Sequence, residues 1–150
     1  MPQVRPLTIL LAEDNIDHAE LIVETLKEFN IGNDIKHVTN GEQVLDYLQS
    51  KPPFDAATYS KPDLILLDLK MPRLDGKGTL QQIRQLNGYK NTPVVMVSTS
   101  STDADIDECY NLGANSYITK PLQFEEFTRK IRELNLYWVL TAELPTSSPK

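Results

Sequence analysis

The sequence predicts an α/β domain, a doubly wound parallel sheet of five strands with helices on both faces. Three observations carry that expectation. Apolar runs of strand length are continuous rather than alternating, as in strands covered on both faces. Each run gives way to apolar residues at helical spacing, so the βα unit repeats five times. The length of 150 residues fits one domain with a sizeable core.

Taken in order, the first strand is expected in Leu7 to Leu11. The helical face Ala19, Ile22, Leu26 and Phe29 follows, its start marked by Asp14 or Asn15, residue types that cap helices. Ile35 to Val38 alternates apolar and polar residues and suits an edge strand, before a second helical face at Val44, Leu45 and Leu48. Ser50 to Pro62 holds three prolines and reads as a surface loop of above-median length. Leu64 to Leu67 is the third strand, and Leu80 with Ile83 mark the third helix. After the fourth strand, Val94 to Val97, start signals at Ser101 to Asp103 introduce a helix with a less regular face around Ile106 and Tyr110. A short fifth strand at Tyr117-Ile118 precedes a clear helix through Phe124, Phe127, Ile131 and Leu134. The domain is thus expected over residues 7–134, between a tail at 1–6 and an extension at 135–150, first aromatic and then disordered.

Composition narrows the function. The net charge of −6 argues against nucleic-acid and anionic-membrane surfaces, which favour basic patches. No run approaches the ~18 apolar residues of a membrane span, and no signal peptide is evident, so a cytoplasmic protein is expected. The lone Cys109 cannot form an internal disulfide and reads as a small hydrophobe on a helix.

The chemistry gathers at strand carboxyl ends, where doubly wound sheets bind ligands. The first strand runs into Glu13-Asp14, the third into Asp68, the fourth into Ser98 with Thr99 to Thr102 behind it, and the fifth into Lys120-Pro121. Carboxylates that converge repel one another and favour a hard cation with oxygen ligands, such as Mg²⁺. Taken singly, Asp14 can be a helix cap, Asp68 a turn residue, the hydroxyl run helix capping and Lys120 an exposed lysine. Pro121 makes Lys120 less ordinary, since that peptide bond can be cis. The loop Met71-Pro72 to Asp75-Gly76 can turn its main chain toward the acidic site. His18 and His37 are expected at surface positions, away from strand carboxyl ends.

In this order the pieces are specific. Leu11-Ala12-Glu13-Asp14-Asn15, Asp63 to Pro72, Asp75-Gly76, Pro93 to Ser98 and Gly113 to Pro121 together resemble the receiver domain of two-component response regulators, over about residues 7 to 134. The resemblance implies a flavodoxin-like (βα)5 fold. It implies that Asp68 takes a phosphoryl group from a histidine kinase, and that Asp14, Asp68 and the main-chain carbonyl of Lys70 ligate Mg²⁺, with Glu13 acting through a metal-bound water. It further implies that Ser98 and Lys120 bond the phosphoryl group and that Tyr117 is an aromatic switch whose ring moves inward as Ser98 moves. Serine at 98 in place of threonine, and glutamate at 13 in place of aspartate, are mild departures.

The chain also resembles stand-alone receivers that partner bacterial and cyanobacterial phytochromes, in the loop Ser50 to Pro62, the segment Asn115 to Pro121, and Tyr137-Trp138 through Leu144-Pro145. That resemblance implies a phytochrome-type sensor kinase and a homodimer through the last helix region and tail. The bland alternative for the tail is a cover over the domain's own last helix. Sixteen residues after Leu134 are too few for an output domain, so output through protein contact is expected, by a phosphoacceptor rather than an enzyme acting on other molecules. The competing readings are a phosphate carrier or sink within a relay and a receiver that binds without being phosphorylated. An aspartyl-phosphate phosphatase would want an acid/base carboxylate where Lys70 stands, and a flavodoxin-type cofactor protein a phosphate loop where Glu13-Asp14 stand.

Overall fold

The computed structural model describes residues 7–28, 34–121 and 123–133, with only the backbone of Phe124, Thr128, Ile131 and Arg132. Five strands alternate with five helices: β1 (Thr8–Ala12), α1 (Ile16–Glu28), β2 (Asp34–Val38), α2 (Gly41–Leu48), β3 (Leu64–Leu67), α3 (Gly76–Ile83), β4 (Val94–Ser98), α4 (Asp103–Asn111), β5 (Ser116–Thr119) and α5 (Phe124–Glu133). All neighbours pair in parallel, in the order β2-β1-β3-β4-β5. The expected five-stranded parallel sheet is therefore the observed one. Its strands extend one or two residues beyond the apolar runs, to Ala12, Ser98 and Thr119.

Continuous apolar strands follow from this architecture, because alternate side chains of β1, β3 and β4 enter two separate cores. Leu10, Ile65, Leu67, Val94 and Met96 pack with Val44, Leu48, Leu80 and Ile83 on the α2–α3 face. Ile9, Leu11, Leu64, Leu66, Val95 and Val97 pack with Ala19, Ile22, Leu26 and Phe127 on the α1–α5 face. The edge strand β2 is half-buried from Asp34 to Lys36, exposed at His37 and buried at Val38, in keeping with its mix of polar and apolar residues. Cys109 is fully buried in the first core, as a small hydrophobe. Tyr110 on the same helix is 43% exposed and does not complete the face expected there. Phe29 and Leu134 lie outside the described residues, as does the extension 135–150.

The loop between α2 and β3 is held by an aromatic cluster. Tyr47, buried on α2, stacks against Phe54 and Tyr59 with ring centroids 5.4 and 5.6 Å away, and its hydroxyl donates to the Ser60 main-chain oxygen at 2.8 Å. No helix among the described residues is long and apolar enough to cross a membrane.

Arg84, at the end of α3, closes the opposite end of the sheet from the strand termini just described. Its guanidinium donates to the main-chain oxygens of Gly113, Tyr89 and Thr92 and to Asn115 Oδ1, all within 3.1 Å. Asn115 Oδ1 also accepts from the Val94 amide at 2.9 Å, which ties this fork to the start of β4. Replacing Arg84 with methionine strands the half-buried main-chain acceptors and is expected to cost about 2–3 kcal/mol of stability, measured by urea denaturation. The fold itself should survive, since both cores are untouched.

Candidate functional site

Strand register builds the site. Ala12 of β1 pairs with Leu67 of β3, so the next residues, Glu13 and Asp68, emerge side by side from neighbouring strands. The Asp68 amide donates to the Ala12 carbonyl at 3.1 Å and locks that adjacency. On the other flank Ser98 of β4 pairs with Thr119 of β5, and the Lys120 amide donates to the Ser98 carbonyl at 2.8 Å. Residues at the ends of four strands gather on one rim because the chain reverses its winding direction between β1 and β3.

Glu13 is 1% exposed and Asp68 7%, whereas Asp14 faces solvent. One carboxylate oxygen from each of the three lies within 4.8 Å of the others. Lys120 is the positive charge at this cluster: its ammonium bonds Glu13 Oε1 and stands 3.5 Å from Asp68 Oδ2. Glu13 is further satisfied by the Asn15 amide, which donates to its Oε2 at 3.1 Å. Burial, and then the charge of Glu13, push the Asp68 carboxyl up to about 6 against the opposing pull of Lys120. One lysine does not balance three converging carboxylates, and the all-oxygen donor set fits a hard divalent cation. Lys70 lies two residues past Asp68 in the loop, its side chain exposed.

The loop after Asp68 folds back on the site's own backbone. The Gly76 amide donates to the Leu69 carbonyl at 2.8 Å, and a Cβ on Gly76 would stand 2.2 Å from the Asp68 carbonyl oxygen. Asp75 caps α3 by accepting from the Gly78 amide at 2.8 Å. The turn chemistry of Asp75-Gly76 thus supports the chain immediately behind Asp68.

Ser98 is buried, and its Oγ accepts from the Ser100 amide at 3.2 Å. Tyr117 is buried too, its ring turned inward, with the hydroxyl donating to the Ser100 carbonyl at 2.7 Å. Ser100 Oγ donates to Asp105 Oδ2 at 2.6 Å, and Thr102 caps α4 by accepting from the Asp105 amide. Capping and local bonding therefore occupy Ser100 and Thr102, while Thr99 is exposed. The Lys120-Pro121 bond is cis. Asn15, not Asp14, caps α1, accepting from the His18 amide at 3.0 Å. Asp14 is thereby left for the acidic cluster.

The expectation that both histidines lie away from strand carboxyl ends is corrected. His37 is exposed but sits next to the last residue of β2, and its Nε2 donates to the Glu13 carbonyl at 2.7 Å. His18 is half-buried, with Nδ1 3.0 Å from the Lys120 ammonium. The available signal was helical phase: His18 precedes the buried Ile22 by four residues, one turn along the edge of the core-facing stripe.

Residues 9–132 match the response regulator receiver domain. This chain belongs to that family. It is 37% identical over 134 residues to the probable methanogenesis regulatory protein FilR2 of Methanothrix harundinacea, covering 89% of this chain and 84% of that one. It is 31% identical over 142 residues to response regulator Rcp1 of Synechocystis, 95% of each chain. Among solved structures it resembles the Mn²⁺-bound form of response regulator Rcp1, at 30% identity and TM-score 0.72, covering 89% of this chain and 95% of that one. It also resembles the phosphorylated cyanobacterial phytochrome response regulator RcpA, at 34% identity and TM-score 0.75, covering 91% and 96%. The chain is thus a two-component receiver whose relatives include phytochrome response regulators, and its acidic cluster can hold a divalent metal.

The raised pKa of Asp68 has a sign that can be checked. Below about pH 4 the carboxyl is neutral folded or unfolded, whereas above about 6 the fold alone bears the cost of a buried charge. Without metal, Asp68→Asn should therefore stabilise the fold by about 2 kcal/mol at pH 7, a gain that fades as the pH falls through 6 toward 4. Urea denaturation at the two ends of that range measures it.

Proposed function

We propose that the protein is a phosphoacceptor switch in which Asp68 receives the phosphoryl group of a sensor histidine kinase. The single observation that carries the reading is the convergence of Glu13, Asp14 and Asp68 oxygens within 4.8 Å, with the Lys120 ammonium 3.5 Å from Asp68 Oδ2. A carboxylate oxygen of Asp68 attacks phosphorus, and the bond to the donor nitrogen breaks with its electron pair leaving on the imidazole. A Mg²⁺ ion held at the cluster would supply charge neutralisation for the transferred oxygens. Asp14, Asp68 and the Lys70 carbonyl would hold the cation, and Glu13 would support it through water. Lys120 pairs with one phosphoryl oxygen and the Ser98 hydroxyl donates to another. Ser98 then gives up the Ser100 amide, and the inward ring of Tyr117 holds the rearranged loop.

The protein transforms no separate substrate; it assists its own phosphorylation and the later hydrolysis. It acts in the cytoplasm and signals by protein contact. Its kinase is of the phytochrome type, a reading supported by the Rcp1 and RcpA similarities, although FilR2 stands nearby with a different role in its name. Homodimerisation through the last helix region and the extension 135–150 belongs to the same reading; those residues beyond 133 lie outside the described ones.

Incubation with acetyl phosphate and Mg²⁺ should add one phosphate-sized mass, abolished by Asp68→Asn and by chelation of the metal. A gain that persists in Asp68→Asn sinks the assignment. Transfer from a purified light-sensing histidine kinase, faster than from one lacking a chromophore, is the expected sign of a phytochrome partner. Light scattering should give a dimer mass for the full chain and a monomer mass after truncation at Leu134; an unchanged mass removes the extension from the interface.

A further inference from the structure

His18 stands beside the site without a role in the reading above. Asn15 caps α1 and fixes His18 in the first turn, four residues before the buried Ile22. Its ring is half-buried at the mouth of a cavity of about 290 Å³, walled by Leu21, Thr25, Thr99 and Pro121 and floored by Lys120. Nδ1 lies 3.0 Å from the Lys120 ammonium.

An ammonium has three hydrogens and no lone pair, so in this contact lysine donates and Nδ1 accepts. The neutral ring therefore carries its own hydrogen on Nε2. Lys120 thus places one hydrogen on Glu13 and one on His18, while Asp68 Oδ2, at 3.5 Å, lies past good hydrogen-bond distance. The positive charge is close enough to counter the carboxylate without occupying the lone pair that must attack phosphorus.

We propose that His18 is a positioning residue that holds the Lys120 ammonium off Asp68 before transfer and releases it to the phosphoryl group afterwards. This deepens the phosphoacceptor reading and rests on it. The exchange runs downhill: the ammonium leaves a neutral nitrogen acceptor for an anionic oxygen, which adds the attraction of opposite charges to the hydrogen bond. The holding bond is given up only as the bond to the phosphoryl oxygen forms, so the new bond offsets its loss. Without His18 the ammonium closes on Asp68 and ties up the nucleophile.

Two substitutions separate the lone pair from the ring. Phenylalanine keeps the ring and lacks the acceptor; asparagine loses volume but sets an amide oxygen where Nδ1 stood. With acetyl phosphate and Mg²⁺, His18→Phe should phosphorylate about threefold to tenfold more slowly and His18→Asn within about twofold of the parent, the range expected for one hydrogen bond. Tm should stay unchanged in both. Parental rates in His18→Phe, or an equal loss in His18→Asn, overturn the proposal. Nitrogen NMR of the unphosphorylated protein gives a readout that needs no phosphoryl transfer. Nδ1 should be bare, and its shift should move in Lys120→Met. A hydrogen on Nδ1, or a shift indifferent to that change, also overturns it. Should the parent take no phosphoryl group while the NMR result holds, the phosphoacceptor reading falls and the His18–Lys120 bond stands.

Discussion

Everything at the upper rim of this sheet depends on keeping two buried carboxylates as neighbours. Glu13 and Asp68 emerge from register partners and have no room to separate. Burying charge without compensation is costly, and like charges at this range raise the cost further. The protein answers with the Lys120 ammonium and with main-chain donors such as the Asn15 amide on Glu13. Those partners offset the repulsion only in part, and the residue left over is the driving force for a divalent cation. The site is therefore a built-in imbalance of charge, and the βα scaffold exists on either side of it to prevent the carboxylates from turning away.

Rigidity behind Asp68 serves the same end. Met71 and Leu69 are buried, Gly76 lies against the Asp68 carbonyl, and the Gly41 amide donates to the Leu74 carbonyl at 3.2 Å, bracing the loop against α2. Preorganisation of this kind matters for phosphoryl transfer, where positioning and electrostatics supply most of the acceleration. On the far side of the site the loop after Ser98 is bound mainly through single hydrogen bonds. The two halves differ in what holds them, with Asp68 set in packed backbone and Ser98 in a polar segment.

Much of this was legible in the chain. The continuous runs Leu64 to Leu67 and Val94 to Val97 could only be strands covered twice, and that fixed the architecture. The chemical residues were visible because each stood one step past such a run. What stayed hidden depends on contacts between residues distant in sequence. The His18–Lys120 bond joins the first helix to the residue after the last strand, and Arg84 finds four acceptors in two separate loops. The packing of Tyr47 under the proline-rich loop likewise joins residues of two separate segments. Local periodicity reports which face of an element is buried and carries no information about which remote polar atom waits there.

Ser100 touches the site on one side and the molecular surface on the other. Its amide meets Ser98, its carbonyl meets Tyr117, and its hydroxyl meets Asp105, which in turn bonds Lys77 of α3 at 2.7 Å. Two-site linkage is reciprocal, so a ligand that favours one arrangement of this residue at the surface must change the free energy of the same arrangement at the site by an equal amount. A protein that grips the α3–α4 surface would then be more than a recipient of the signal. By its own binding energy it would shift the balance of arrangements around Asp68, and the receiver would sense occupancy of its surface as well as the state of its site.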